Sequence, residues 1–550
     1  MSQALKLTPA NVLARFDPHD GTLESMLAAR VRRLPDHPFI EYDGQTLSYA
    51  RFAQQADAMA AMLWSRGVRA GDRVALLSYN HPSIPLTLFA LARLGAVAVP
   101  INPDFLRDEA RYVLEHAQVS GVICAPDRLA LLEQACEGIE RPMWKMVNRA
   151  SDGVDVQDIE SAMRESEGVR FDNASDPDRT CILIYSSGTT GFPKGVMHAQ
   201  RTFTLAGEGF VARMHLQPDD RLLCIMPMFH MNAIFYSLAG ALATGATLIL
   251  LARFSASTFW RDAARLQATE VNTVAAISNI LMRRPRSEFV PGHRIRSIYG
   301  GPFSQEVYRV FKSEFGVPGL VEGYGMSEIP GVLSNPIDGP RIGSIGLPCQ
   351  HPNQTAAFAQ LRIVGDDGHE VAADVPGNLL VKNQLVMQGY FRDPQLTAEV
   401  FKDGWFVTGD VVRRDAEGFY WFVARSKDII RRRGENVSGA EIDRIVNEHP
   451  DVLMSAAIAV PSPVGEDDIL VAVVAREGQQ VAPEAIRQWC EARLARVKLP
   501  RYVAVVDALP HNRSFRIEKF KLKARSESLV ASAVDFEPFS STAHPQPDPP

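Results

Sequence analysis

Tyr185-Ser-Ser-Gly-Thr-Thr-Gly-Phe-Pro-Lys-Gly-Val196 directly follows the apolar run Cys181-Ile-Leu-Ile184, so a strand delivers a loop made mostly of hydroxyls and glycines. Ser186, Ser187, Gly188, Thr189, Thr190 and Gly191 offer hydroxyls and backbone N–H groups that can wrap phosphate oxygens, and Lys194 adds a point charge. A polyphosphate is the ligand that fits. The string lacks the G-x-x-x-x-G-K-[ST] of a P-loop and the G-x-G-x-x-G of a dinucleotide fold. A generic Ser/Gly/Thr cluster would read as a surface turn. A strand-led string that closes on Pro-Lys-Gly reads instead as a phosphate loop.

Three further strings carry polar chemistry downstream. Gly323-Tyr-Gly-Met-Ser-Glu328 combines an aromatic face, a hydroxyl and a carboxylate, and Asp403-Gly-Trp-Phe-Val-Thr-Gly-Asp410 ends on a carboxylate whose oxygens can each accept from a hydroxyl. Ala424-Arg-Ser-Lys-Asp428 is basic. Taken in order with the loop, these strings resemble the motifs of the adenylate-forming superfamily, which includes acyl-CoA synthetases, nonribosomal peptide adenylation domains and beetle luciferases. The likeness runs from about Leu47 to Leu522. It implies that Tyr324, between Gly323 and Gly325, lies against adenine, that Ser327 holds a phosphate oxygen, and that Glu328 with Thr189 carries Mg²⁺. It also implies that Asp410 accepts the ribose hydroxyls, that Arg425 lies near the ribose, and that Lys427 is a pivot. About this pivot the family's small domain closes for adenylation and rotates for thioester formation. The chemistry explains the residue types: a carboxylate attacking the α-phosphate of ATP meets another anion, so positive charge and metal must screen the approach.

The sequence departs from the family in places. Ser327 replaces threonine but keeps the hydroxyl, and Ala424 replaces a glycine, which stiffens the pivot. In Pro510-His-Asn-Arg-Ser-Phe-Arg-Ile517, Phe515 stands at a usual glycine and Arg516 where the family carries its catalytic lysine. Arginine keeps the charge on a bulkier planar fork, which predicts slow adenylation with Arg516 as the electrophilic group and Lys519 and Lys521 as substitutes.

Arg431-Arg-Arg-Gly-Glu-Asn-Val437 resembles the Lys-x-x-Gly-Glu-Asn-Val segment of acyl-CoA synthetases, which places Arg431, Gly434 and Glu435 near a pantetheine tunnel and points to coenzyme A. A solvated turn and a nonspecific nucleic-acid patch are the other readings of adjacent arginines. Pro227-Met-Phe-His230 resembles the Pro-Leu-Phe-His whose histidine gates the acyl pocket; a hydrogen-bonded core histidine is the alternative. The pocket is expected around His230 to Tyr236, Tyr299 to Pro302 and Gly323 to Met326, with Gly300-Gly-Pro-Phe303 one residue shorter than the usual Gly-Gly-Ala-Pro-Leu. The C-terminal region is most similar to carnitine or crotonobetaine-CoA ligases and medium-chain acyl-CoA ligases. No acidic residue in these pocket segments would pair a trimethylammonium group, which leaves aromatic faces for that task and the acid open.

These residues need elements to position them. Arg73-Val-Ala-Leu-Leu-Ser78, the helical Pro85 to Leu94 and Ala96-Val-Ala-Val-Pro100 alternate as βαβ units do, and similar alternation fills most of the 550 residues. The expected fold is α/β: a large N-terminal domain of parallel-rich sheets with flanking helices over 1–424, a hinge at 425–428, a small mobile α+β C-terminal domain over 429–525 and a disordered tail over 526–550. The net charge of -6 argues against coating nucleic acid. Cys124, Cys136, Cys181, Cys224, Cys349 and Cys490 show no CxxC spacing, which suits a reduced compartment; without a secretory-type N-terminus, the expected location is cytoplasmic. The nearly uncharged stretch Leu222 to Ala252 raises the question of a membrane span. Its glycines and threonines, and the absence of a basic flank, favour a buried helix followed by a buried strand. A homodimer is left open.

The activity implied is ligation: a small carboxylic acid is activated by ATP as an acyl-adenylate and transferred to coenzyme A, as in fatty acid metabolism. Two other readings stay open. The Arg516 departure allows transfer to a carrier protein, or to coenzyme A from an adenylate made elsewhere. A nucleotide-binding homologue without catalysis is opposed by Lys194, Glu328, Asp410 and Arg425.

Overall fold

The computed structural model describes residues 6–186, 193–353, 358–365, 367–425, 428–432, 435–462, 466–494, 496–511 and 517–537. The chain forms two compact units. The larger comprises the residues up to Arg362 with Leu380–Val407 and Asp415–Trp421; the smaller comprises Ile363–Leu379, Thr408–Arg414 and the chain from Phe422 onward.

The large unit holds two sheets rich in parallel pairing, as the alternation predicts. One has the strand order Gly389–Tyr390, Lys194–Ala199, Thr180–Ser186, Val97–Ile101, Arg73–Leu77, Gly121–Cys124, Trp144–Val147. Its central strands are parallel and buried along their length, as strands covered on both faces must be. Thr180–Ser186 turns back antiparallel into Lys194–Ala199 with Ser186 opposite Lys194, so the two strand ends flank the phosphate-loop string.

The other sheet runs Leu347–Pro348, Ile329–Ser334, Gly319–Met326, Ser297–Gly300, Glu270–Asn272, Arg221–Cys224, Thr247–Leu250, Pro38–Tyr42, Gln45–Ser48. It is parallel except at its two ends. The uncharged stretch supplies two of its strands, Arg221–Cys224 and Thr247–Leu250. Between them a π-helix at Ala233–Leu238 continues as the α-helix Ala239–Thr244 and stops at Gly245 (φ 77°), all of it buried. No helix among the described residues is long and apolar enough to cross a membrane. Helix Gln200–Met214 crosses this segment closely, because a Cβ on Gly207 would lie 2.4 Å from the Ala239 carbonyl oxygen.

In the small unit, Val452–Pro461, Asp467–Ala475, Tyr502–Val505 and Val534–Asp535 form a four-stranded sheet in that order. Val471 and Val473 point to a cluster with Ile442, Val446 and Ile486, while Leu470 and Ala472 point to Leu509, Leu522 and Leu529. Both faces are therefore covered. This corrects the expectation of a disordered tail from residue 526. Ser526–Ser532 is helical with Leu529 buried, and Val534–Asp535 pairs antiparallel with Tyr502 and Val503. The Pro-rich composition of the last residues was extended too far back over an apolar segment that the sheet needs as cover; residues 538–550 lie outside the described residues.

Gly207→Ala is expected to lower stability by about 1–3 kcal/mol, since overpacking against backbone cannot relax cheaply. Gly209→Ala, whose Cβ meets nothing nearer than 3.7 Å, should be neutral or stabilising. Denaturant unfolding of the two variants beside the parent measures the difference.

Candidate functional site

The strand Gly319–Met326 carries Gly323, Tyr324 and Gly325. A Cβ on Gly323 would lie 2.0 Å from the Tyr299 hydroxyl, and one on Gly325 2.9 Å from the Tyr236 hydroxyl. The backbone thus rests directly on two phenols, and the glycines beside Tyr324 have a steric reason. Tyr324 itself is buried.

At the following turn the chain is tied to the neighbouring sheet. His198 Nε2 donates to the Ser327 carbonyl oxygen at 2.6 Å, the Met387 N–H donates to the Glu328 carbonyl oxygen at 2.8 Å, and the Tyr390 hydroxyl donates to Glu328 Oε1 at 2.9 Å. Lys194 Nζ lies 5.5 Å from the centre of the Tyr390 ring. Tyr390 therefore touches both Lys194 and Glu328, two groups that the sequence reading assigned to the phosphates and the metal. Burial first, and then the adjacent Glu328 charge, push the Tyr390 phenol up, so it stays a donor. His198 is fully buried, edge-on to Phe235 at 4.9 Å. Burial pulls its pKa down to about 4 against the opposing pull of the Ser327 carbonyl, so the ring is neutral.

The pocket segments also lie in this unit. His230 is half-buried, its N–H donating to the Pro227 carbonyl at 3.0 Å and its ring 4.3 Å from that of Phe229. Tyr236 stacks on Phe210 at 5.2 Å and meets Tyr299 edge-on at 5.2 Å. The short Gly300 to Phe303 loop depends on Glu322, which sequence reasoning missed. This buried carboxylate accepts from the Phe303 N–H at 2.7 Å, the Gly343 N–H at 3.3 Å and the Tyr308 hydroxyl at 3.2 Å, and burial lifts its pKa. A Cβ on Gly301 (φ 109°) would stand 3.0 Å from Glu322 Cγ, so only glycine fits. The signal in the sequence was a lone acid inside the apolar Leu320-Val-Glu322, since a buried acid must find donors.

In the small unit, Asp410 and Arg425 are neighbours, with Arg425 Nε 3.4 Å from Asp410 Oδ1 and the carboxylate buried. The adjacent arginines part company. The Arg431 side chain is exposed, 3.9 Å from Glu466. Arg432 is buried, bonded to Asp468 at 3.1 Å, Glu537 at 3.1 Å and the Leu499 carbonyl at 2.5 Å, which makes it a core residue and no part of a nucleic-acid patch. Glu435 begins the strand Glu435–Ser438. Both substitute lysines are held in ion pairs: Lys519 with the half-buried Asp443 at 2.6 Å, Lys521 with Glu518 at 2.5 Å. Ser187, Gly188, Thr189, Thr190, Gly191, Lys427, Gly434, Phe515 and Arg516 lie outside the described residues; Ser186 closes its strand.

The family model for AMP-binding enzymes matches residues 27–391, and that for the AMP-binding enzyme C-terminal domain matches 441–516. A sulfoacetate–CoA ligase of Cupriavidus necator is 32% identical over 91% of this chain and 97% of its own length. A crotonobetaine/carnitine–CoA ligase of Escherichia coli is 30% identical over 86% of this chain and 93% of its own. Among solved structures, ATP-bound MatB from Rhodopseudomonas palustris is similar with a TM-score of 0.81 and 26% identity, over 92% of this chain and 99% of that one.

The neutral histidines give a pH prediction. Burial depresses His198 and His81 to about 4 from 6.5. The unfolded chain takes up protons near 6.5 that the folded chain refuses, so their contribution is complete above that pH and is lost as pH falls toward 4. Each histidine adds a slope of up to about 1.4 kcal/mol per pH unit in this window. His198→Asn should remove about one proton's worth of slope from unfolding free energies measured between pH 4 and 6.5; an unchanged slope would contradict the assignment.

Proposed function

Because the chain belongs to the AMP-binding enzyme family, we infer that it is an ATP-dependent, AMP-forming acid–CoA ligase. In the first half-reaction a carboxylate oxygen bonds to the α-phosphorus of ATP and pyrophosphate leaves. In the second, the coenzyme A sulfur bonds to the acyl carbon, AMP leaves and the thiol proton passes to solvent. The observation that carries this reading is the cluster of Glu328, Tyr390 and Lys194 beside the strand of Tyr324, in a chain whose full-length relatives are CoA ligases.

The residues take the following roles in this reading. The segment from Ser186 to Gly191, including Ser187, Gly188, Thr189 and Thr190, wraps the phosphates with Lys194 and Ser327. Tyr324 covers adenine. Asp410 accepts from the ribose hydroxyls, with Arg425 Nε 3.4 Å from its carboxylate. Arg431, Gly434 and Glu435 face coenzyme A, His230 gates the acyl pocket, Lys427 is the pivot and Arg516 is the electrophile. Glu328 suits Mg²⁺: it is a single hard carboxylate with Oε1 oriented by Tyr390, and Mg²⁺ takes most of its ligands from water and substrate phosphates. When bound, the ion would neutralise phosphate charge, with Thr189 as a further ligand. A cytoplasmic location agrees with the six free cysteines.

AMP release from ATP, measured with a panel of acids, should require both an acid and coenzyme A; release indifferent to coenzyme A would reject the thioester step. Asp410→Ala should raise the KM for ATP by about 10–100-fold, the loss of hydrogen bonds to a charged group. Arg516→Ala should depress acid-dependent ATP–pyrophosphate exchange by at least about 100-fold, the scale of losing one electrostatic donor to the transition state. Full exchange in that variant would remove Arg516 from the mechanism.

A further inference from the structure

Helix Gln200–Met214 carries a charge that the catalytic reading does not use. Arg213 is only 6% exposed. Its guanidinium carbon lies 4.9 Å from the Tyr236 ring centre, 5.4 Å from that of Phe210 and 5.8 Å from that of Tyr299. Its Nε reaches the Gly209 carbonyl at a long 3.4 Å, and Nη1, buried, has no hydrogen-bond partner among the described residues. Nη1 lies against Gly331, where a Cβ would approach to 2.1 Å. Gly331 in turn touches Gly325 of the signature strand, where a Cβ would stand 2.8 Å from the Gly331 nitrogen.

No carboxylate forms an ion pair with Arg213 among the described residues. Its polar neighbours are Cys349, Tyr236 and Tyr299, and burial raises all three above their ordinary values, so each is neutral near pH 7. A buried cation without a counter-ion is expensive; the aromatic faces and hydrogen bonds to the Tyr236 and Tyr299 hydroxyls offset part of the cost, and Nη1 keeps a donor for an anion.

Tyr236 and Tyr299 belong to the segments that form the acyl pocket in the ligase reading, and on that reading we propose that Arg213 closes the pocket and selects a short carboxylic acid whose far end carries a second anionic oxygen group, carboxylate or sulfonate. Two features agree. The Tyr299 hydroxyl, which accepts from Tyr236, keeps its own proton to donate to an oxyanion. The guanidinium fork matches carboxylate and sulfonate oxygens alike. A trimethylammonium acid would bring like charge to Arg213 and is excluded.

The test uses the full chain with ATP, Mg²⁺ and coenzyme A, and reads AMP release for length-matched acids: a dicarboxylate (succinate), a sulfonate (sulfoacetate), their monoacid counterparts (butyrate, propionate) and a betaine (γ-butyrobetaine). The ω-anionic acids should exceed their counterparts at least tenfold in kcat/KM, and the better of the two arms names the group. Arg213→Met should cut that preference at least tenfold, chiefly through KM, and Arg213→Lys should recover part of it. A second readout is independent of turnover: with a non-hydrolysable ATP analogue, the preferred acid should raise the unfolding temperature of the parent and not of Arg213→Met.

Equal or better use of a monoacid or the betaine by the parent overturns the proposal and leaves the ligase reading standing. A preference unchanged in Arg213→Met also overturns it. A thermal shift without AMP release supports Arg213 and rejects the ligase reading, whereas neither signal rejects both. If Arg213→Met does not fold, the parent's comparison of matched acids decides alone.

Discussion

Three hydrogen bonds fasten the Ser327–Glu328 turn of one sheet to the other sheet and the segment that leads into its last strand: His198 to the Ser327 carbonyl, Met387 N–H to the Glu328 carbonyl, and Tyr390 to the Glu328 carboxylate. They fix the position of a carboxylate whose value depends on where it points. Two of the donors leave from the same hairpin system that begins at Lys194, because Tyr390 pairs with Val196 and His198 lies on the same strand. Lys194 and Glu328 are thus referenced to one backbone. Moving either sheet by one residue would flip alternate side chains to the other face and break all three bonds. Because His198 is buried and neutral, it can serve as a fixed donor without adding a cation beside Glu328.

The small unit depends on charge in a different way. Asp468, buried, lies between Arg432 at 3.1 Å and Arg501 at 2.7 Å; Arg501 continues to Asp535 at 3.0 Å and Arg432 to Glu537 at 3.1 Å. Such networks contribute little net stability compared with apolar packing, but removing one member strands a buried charge. The arrangement ties Asp535 and Glu537, in the segment after Ala533, to the sheet.

Much of this was legible in the residues. Parallel strands read as unbroken apolar runs, and the uncharged Leu222 to Ala252 read as core because glycine and threonine are poor membrane-spanning material. Whatever depended on which polar side chains meet across long sequence separations was not legible. Glu322 and Arg213 sit in segments that look like an ordinary strand and an ordinary helix, and only the fold brings the loop at Phe303 to one and the rings of Tyr236 and Tyr299 to the other. Arg432 looked like its exposed neighbour Arg431 because strand alternation, not composition, decides which of the two turns inward.

The electrostatics of the reaction and of the pocket bear on each other. Adenylation already requires one anion to approach another, and an acid with a second negative charge increases the repulsion unless that charge is neutralised where it rests. At an effective dielectric of about 20, two unit charges 4 Å apart interact by about 4 kcal/mol, and the effect weakens with distance. A cation at the far wall of the pocket offsets the extra charge without touching the reacting carboxylate, so it favours binding and leaves the attacking oxygen as nucleophilic as before. The alternative, a hydrophobic wall, would select chain length by a few methylenes, each worth only about 0.8 kcal/mol. Charge discriminates more sharply than length in a buried pocket, and it does so in both directions, drawing in the anion and leaving the betaine outside.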